Sequence, residues 1–503
     1  MAKPKQTGTK KYTHKPVVKT TINKALAKHD KNYTSTGDSR VDLFFKSARG
    51  LGQEELQALL EASWETNPLD TLKLIFQLRD CRGGKGEKEL FRLALLWLQE
   101  KSPSTVEKNF KLVPHFGSWK DVTNLIGTSL EGKALESLSE QLKKDVADMK
   151  ANPKATISLA AKWAPTENHQ ADTAAKAAKK LALILAANAS TAKKDYRKNY
   201  LTPLRKHLKI IETLQSAGQW NEINFNAVPS RCMKLQRKAF ERHEPTLFAE
   251  YLESLKKGEA KVNAKQLFPH EIVKEYFNHS VAEDTILEEQ WKVLENQVRE
   301  SGSLADSIVL SDVSGSMSGT PMEVSIALGI LISGVTAHPF KDIVISFSEN
   351  PQFCLVKGDT LRERVHTLSR IDWGGSTNFN KVFTMILEKA KENNLPASAM
   401  PKKLFVISDM CFDQAGNMSN HDAMIKQYKD AGYEVPTMIY WNVNGSTSSI
   451  PVGDSTTKGV ALVSGFSPSI LKAIIATGDT SSISPAMLME AAINDKRYAD
   501  LQV

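Results

Sequence analysis

The runs SIVLSDV from Ser307, DIVISFS from Asp342, KKLFVISDM from Lys402, PTMIYWNV from Pro436 and GVALVSG from Gly459 are short, rich in β-branched residues and apolar along almost their whole length. A strand with one wet face alternates polar and apolar residues, so runs like these must be buried on both faces. Helical periodicity lies at about 320–337, 361–371, 378–394, 420–432 and 467–477, between or just after the runs. Strands alternating with helices predict a doubly wound parallel sheet covered on both sides. In such sheets ligands bind in the crevice beyond the carboxyl ends of the strands, so functional residues belong there.

Oxygen-bearing residues stand at that place. The first run leads into Asp312-Val313-Ser314-Gly315-Ser316, and Thr320-Pro321 then opens a helix. The segment WGGSTNFNKVF puts Thr377 just ahead of another helix, with Gly374 and Gly375 bending the loop, and KKLFVISDM delivers Asp409 from a buried strand. Hydroxyls with few carboxylates, and no His or Cys, suit a six-coordinate Mg²⁺ or Mn²⁺ that keeps some of its water. A cation left partly uncovered can accept a carboxylate or phosphate from a partner.

D-x-S-x-S, a later T in a G-G-S-T loop and an apolar strand ending in D together resemble the metal-ion-dependent adhesion site of von Willebrand A domains. The resemblance implies that Ser314, Ser316 and Thr377 touch the metal, and that Asp312 and Asp409 hold it directly or through water. Catalytic alternatives fit less well. A haloacid-dehalogenase-type nucleophile wants a second acid two residues after Asp312, where Ser314 stands; GTSLEGKA from Gly127 is one residue short of a phosphate loop and ends in Ala134. No Ser-His-Asp or Cys-His set gathers near the strand ends. The chain reads as a binding protein, with no catalytic residues assigned.

Upstream the pattern is helical. From Val41 to about Val298, stretches such as QEELQALLEASW, EKELFRLALLWLQE and PTLFAEYLESLKK repeat apolar residues every three or four positions. This predicts an all-helical, HEAT-like array over 36–300; with the Rossmann-like part over 301–503 that resembles a von Willebrand A domain, the organisation is α plus α/β. A chain of 503 residues with 41% apolar content can fill two such cores. Residues 1–35 carry few large apolar side chains and many lysines, so a disordered basic arm is expected. The longest apolar stretch, SIALGILISGV, is too short to span a membrane, and Cys81, Cys232, Cys354 and Cys411 are scattered without a C-x-x-C pair. A cytoplasmic protein with reduced thiols and no membrane partner is the expectation.

The net charge of +9 is unevenly placed: residues 301–503 sum to −4, so everything before them sums to +13, of which residues 1–32 supply +8. Such a split points to a polyanionic partner for the N-terminal part. Arg79, Arg82, Lys85 and Lys88 surround Gly83, Gly84 and Gly86 ahead of a helix start, a pattern for a phosphate cradle. Arg197, Lys198, Arg205 and Lys206 lie among Tyr196, Tyr200 and His207, which could stack bases. Arg231, Lys234, Lys238 and Arg242 advance by three, four and four and should form one helical stripe. RNA or another single-stranded nucleic acid is the expected partner of these cations.

The order NYTSTGDSRVDLFF, LRDCRGGKGEKELFR, SLAAKWAPTE, VPSRCMKLQRKAFERH, KVNAKQLFPHEIV and LSDVSGSM looks like a group of uncharacterised plant, microbial and viral proteins. These in turn resemble the TROVE-module Ro autoantigens, rings of helical repeats closed by a von Willebrand A domain. That resemblance implies a protein that holds small structured noncoding RNAs or the single-stranded ends of defective RNAs, in scaffolding or quality control. The alternative is a metal-dependent protein-interaction module in which a partner's Asp or Glu completes the site; a phosphoryl-transfer enzyme or nuclease is the third reading. The sequence leaves oligomeric state open.

Overall fold

A computed structural model describes Tyr33–Val503, apart from residues 169–171, 173–174, 279, 303, 349, 372–378, 411–420, 447–448 and 477–481. The five runs form β1 (Ser307–Ser311), β2 (Ile343–Ser346), β4 (Lys403–Ser408), β5 (Thr437–Asn442) and β6 (Val460–Ser464). A short sixth strand, β3 (Phe353–Leu355), lies at the sheet edge, half exposed; its three apolar residues are too few to show a strand pattern in the sequence. The order is β3-β2-β1-β4-β5-β6, parallel throughout except for the antiparallel β2–β3 pair. The chain winds outward from β1 to β3, returns, and winds the other way from β4 to β6. The switch of direction therefore falls between β1 and β4, where a doubly wound sheet opens its crevice.

Period-two alternation sends successive strand residues to two different cores. Ile308, Leu310, Leu404, Val406, Tyr440 and Leu462 share one core with the helix Phe379–Glu392 and with helices from residues 39–207. Val309, Phe405, Ile407, Ile439, Trp441 and Val463 share the other with the helix Thr320–Val335 and with Leu287, Trp291 and Leu294 of the helix Thr285–Ser301. A satellite core around Phe225, Met233, Phe240 and Phe248 fills the remainder. Residues Asn32–Val503 are thus one compact unit, in which helices that precede the sheet in sequence cover both of its faces.

Polar pins tie the helical part to the sheet. Lys85 Nζ donates to the Phe44 and Ser47 carbonyls and to Ser464 Oγ at the end of β6. Asp80 receives Arg497 through two bonds of 2.7 Å, and Tyr498 stacks on Phe116 at 5.4 Å. The C-terminal segment is thereby held against the N-terminal helices. Tyr33, within the segment expected to be disordered, pairs with Ile450 through both backbone groups, so the ordered chain starts before residue 36. The rest of the expected arm, residues 1–32, lies outside the described residues. Among the described residues no helix is long and apolar enough to cross a membrane, and Cys81, Cys232 and Cys354 are free thiols.

Candidate metal centre

The β1–β4 ladder continues one step beyond β1, Asp312 N–H donating to the Ile407 carbonyl at 2.9 Å. This fixes Asp312 and Asp409 at the ends of neighbouring strands, each only 1% exposed. Asp312 Oδ1 accepts the Ser314 N–H at 2.8 Å, which closes the turn, and Oδ2 accepts Ser408 Oγ at 2.7 Å. The turn Gly315–Met317 is anchored by fully buried Met317 and brings Ser314 Oγ to 3.1 Å from Ser316 Oγ. Ser314 is half-buried and Ser316 exposed, so the two hydroxyls line the open side above the carboxylates. The helix that follows runs Thr320–Val335 with Gly319 as its cap, so Thr320 is its first residue.

Burial pushes the Asp312 pKa up; the hydrogen bonds from Ser408 and Ser314 oppose the shift, and the negative charge of Asp409 adds to it. Two carboxylates side by side in a poorly solvated crevice favour either a proton or a cation. Two carboxylates with hydroxyls beside them are hard oxygen donors of the kind a divalent ion takes, although among the described residues no three His, Cys, Asp or Glu side chains gather as a metal cluster. Thr377, the remaining residue of the motif, lies outside the described residues. Two features escaped the sequence reading. Ser408 buttresses Asp312 from the neighbouring strand, and Met410, directly after Asp409, has φ of +63°, a left-handed backbone held by its N–H bond to Ser408 Oγ at 3.1 Å. Strained non-glycine backbone of this kind costs on the order of 1 kcal/mol or more and clusters at functional sites.

The cations expected to meet RNA divide into two sets. Lys85 is fully buried and its three donors all have protein acceptors, so it does not form a surface cradle; burial lowers its pKa to about 7 against the raising charge of Glu87. Arg79 is buried against Asp121 at 2.9 Å. Arg205 is directed inward to the Ala161 and Ala164 carbonyls and Thr166 Oγ1. The stripe is broken as well. The helix Ser230–His243 buries Ser230, Met233, Lys234, Arg237 and Phe240, so Lys234 lies at the edge of the buried face and pairs with Glu275 at 2.8 Å. Arg237 shares Glu275 and reaches Asp284. Exposed cations remain: Arg82, bonded to the His115 carbonyl; Lys88; Arg197 and Lys198 on the π-helical turn Tyr196–Leu201; Lys206; Arg231, paired with Glu271; Lys238 and Arg242.

Residues 27–139 and 135–304 match the family described as domain of unknown function DUF2828, and residues 306–499 match domain of unknown function DUF7788. The chain belongs to the DUF2828 family. A relative from Acanthamoeba polyphaga mimivirus, "Uncharacterized protein L728", is 32% identical over 482 residues, covering 89% of this chain and 83% of the viral protein. The two matches meet at 304–306, directly before β1, where helical periodicity gives way to the sheet. The likeness to uncharacterised viral proteins read from the sequence is thereby shown.

Proposed function

We propose that this DUF2828 protein is a divalent-cation-dependent binding protein of von Willebrand A type. Asp312, Ser314, Ser316 and Asp409, with Thr377 from the motif, would hold Mg²⁺ or Mn²⁺, and the open side of the ion would accept an acidic group from a partner. The observation that carries the reading is the pair of carboxylates, each 1% exposed, at the ends of adjacent strands at the sheet's switch point. Removing such a pair from water without a counter-charge is unfavourable, and a cation supplies one. When bound, the ion offers an electrophilic coordination position. The chain's own part is to fix Asp312 through Ser408 and the Ser314 N–H, and to leave the hydroxyl side open. The test is titration of Mg²⁺ or Mn²⁺ into metal-stripped protein by calorimetry and thermal melting. Binding with a raised Tm, lost in Asp312→Ala, supports the reading; no binding by the wild-type protein sinks it.

A wider reading is a Ro-like RNA-binding protein, its helical part forming a HEAT-like array and its location cytoplasmic. The exposed cations Arg197, Lys198 and Lys206 on one short stretch, with Lys238 and Arg242 elsewhere, favour it. Under this reading nucleic acid co-purifies with the protein, giving a high ratio of absorbance at 260 to 280 nm, and RNA affinity falls steeply with salt. Nucleic-acid-free protein with no salt-dependent RNA binding would leave only the metal-dependent interaction.

A further inference from the structure

A cleft of about 600 Å³ opens where distant parts of the chain meet, among them the loop that ends at Lys88, the segment Gly117–Asn124, Arg231, Lys265 and the loop Ser467–Ser469 that follows β6. It lies two strands along the sheet from the β1–β4 crevice and shares no residue with it. Five cations line it: Arg79, Lys88, Lys120, Arg231 and Lys265. Asp121 is the single carboxylate among the lining residues, and it already accepts Arg79 Nη2, the Ser118 N–H and Ser118 Oγ. Arg231 has Glu271 as a partner. Among the described residues, no carboxylate lies within ion-pair reach of Lys88, Lys120 or Lys265; Lys120 instead stands over the Trp163 ring at 5.2 Å.

Two further observations show that this is a concentration of unanswered positive charge. Arg79 is 3% exposed, and its Nε–H has no acceptor. Lys88 is the N-cap of the helix Glu89–Lys101, and no side chain caps that helix. The positive end of its dipole lies beside the cations. Partial desolvation at the cleft, where its side chain is still solvent-exposed, then the charges of Arg231 and Arg79, hold the Lys88 ammonium below the ordinary lysine range. Like charges are gathered here at a cost, and an anion would relieve it.

We propose that this cleft binds the terminal phosphate of a phosphorylated nucleoside. A phosphomonoester carries about two negative charges and three acceptor oxygens, which suits several lysine and arginine donors together. The cleft is larger than phosphate needs and falls within the usual range for small-molecule sites, roughly 300–1,000 Å³. Trp163, with Lys120 over its ring, and Phe268, stacked on His270, line it and are the aromatic side chains a base would meet. The phosphate belongs either to a free nucleotide or to the 5′ end of an oligonucleotide; the site reads the same group in both.

The full chain, kept in EDTA so that the β1–β4 crevice contributes nothing, is titrated with adenosine 5′-monophosphate and with adenosine. It is then titrated with a short oligoadenylate carrying either a 5′-phosphate or a 5′-hydroxyl. Each phosphorylated probe should bind at least about tenfold more tightly than its unphosphorylated counterpart. The double variant Lys88→Gln, Lys265→Gln should lose most of that preference while melting close to wild type, because neither lysine has an ion-pair partner among the described residues. Monophosphate binding as tight as the oligonucleotide identifies a free nucleotide; much tighter oligonucleotide binding identifies a nucleic-acid end. Adenosine binding as well as its monophosphate, or the double variant keeping the full preference, would overturn the proposal.

Discussion

The strand-end crevice and the helix Ser230–His243 were both read from spaced charged or polar residues, and the structure treats them oppositely. At the crevice, Asp312, Ser314 and Ser316 lie on one turn, and Asp409 arrives on the neighbouring strand through a ladder whose register is fixed. On the helix, Lys234 leaves the expected stripe, because its partner Glu275, 41 residues away, covers it. Arg79 leaves the expected cradle in the same way, through Asp121, 42 residues away. Backbone geometry brings the oxygen groups of the crevice to the same strand ends. The stripe that failed depended on which remote acid would dock against it.

The sharpest test of this contrast is Lys85, the cation most completely taken inside. Lys85→Ala removes donors from two carbonyls and Ser464 Oγ and leaves a cavity, and should cost about 3 kcal/mol or more in urea unfolding. The sign of its pH dependence follows from the lowered pKa. Between about 7 in the folded chain and the ordinary 10.5, the unfolded state binds more protons. This group therefore makes the wild type more stable as pH rises through that window. The variant's deficit should grow from pH 7 toward pH 10; a deficit constant with pH would mean that Lys85 stays charged in the fold.

Next is the crevice. Saturating Mg²⁺, at a hundred times Kd, should stabilise the wild type by about 2.7 kcal/mol. Asp312→Asn should abolish that gain and melt slightly higher than the wild type in EDTA, since one of two adjacent buried charges is gone. An Asp312→Asn protein less stable than wild type in EDTA would mean that the carboxylate is held structurally by Ser408 and Ser314.

Smaller effects separate the members of the broken stripe. Lys234→Gln leaves Glu275 with Arg237 alone and should cost about 1–2 kcal/mol without changing the salt dependence of RNA binding. Lys238→Gln with Arg242→Gln should change stability by less than about 0.5 kcal/mol, both side chains being exposed. If RNA follows this helix, the same pair should lower the log–log salt slope by roughly one unit per contact. A slope reduced by Lys234→Gln and untouched by the exposed pair would reverse the assignment made here.

The sequence by itself determined the parallel strands, their helices and four described members of the oxygen cluster, because period-two and period-3.6 patterns and tight turns are local properties of the chain. It missed β3, whose three residues are too few to show a period, and Ser408, an ordinary serine until β4 lies beside β1. Only the tertiary structure decided that helices from both sides of residue 220 wrap the sheet into one unit. It also decided that Lys85 and Lys234 serve the fold, and that Arg79, Lys88, Lys120, Arg231 and Lys265 meet in one cleft. The reason is electrostatic: a cation's availability depends on the burial and counter-charges around it, and these are supplied by segments tens to hundreds of residues away, where no local pattern records them.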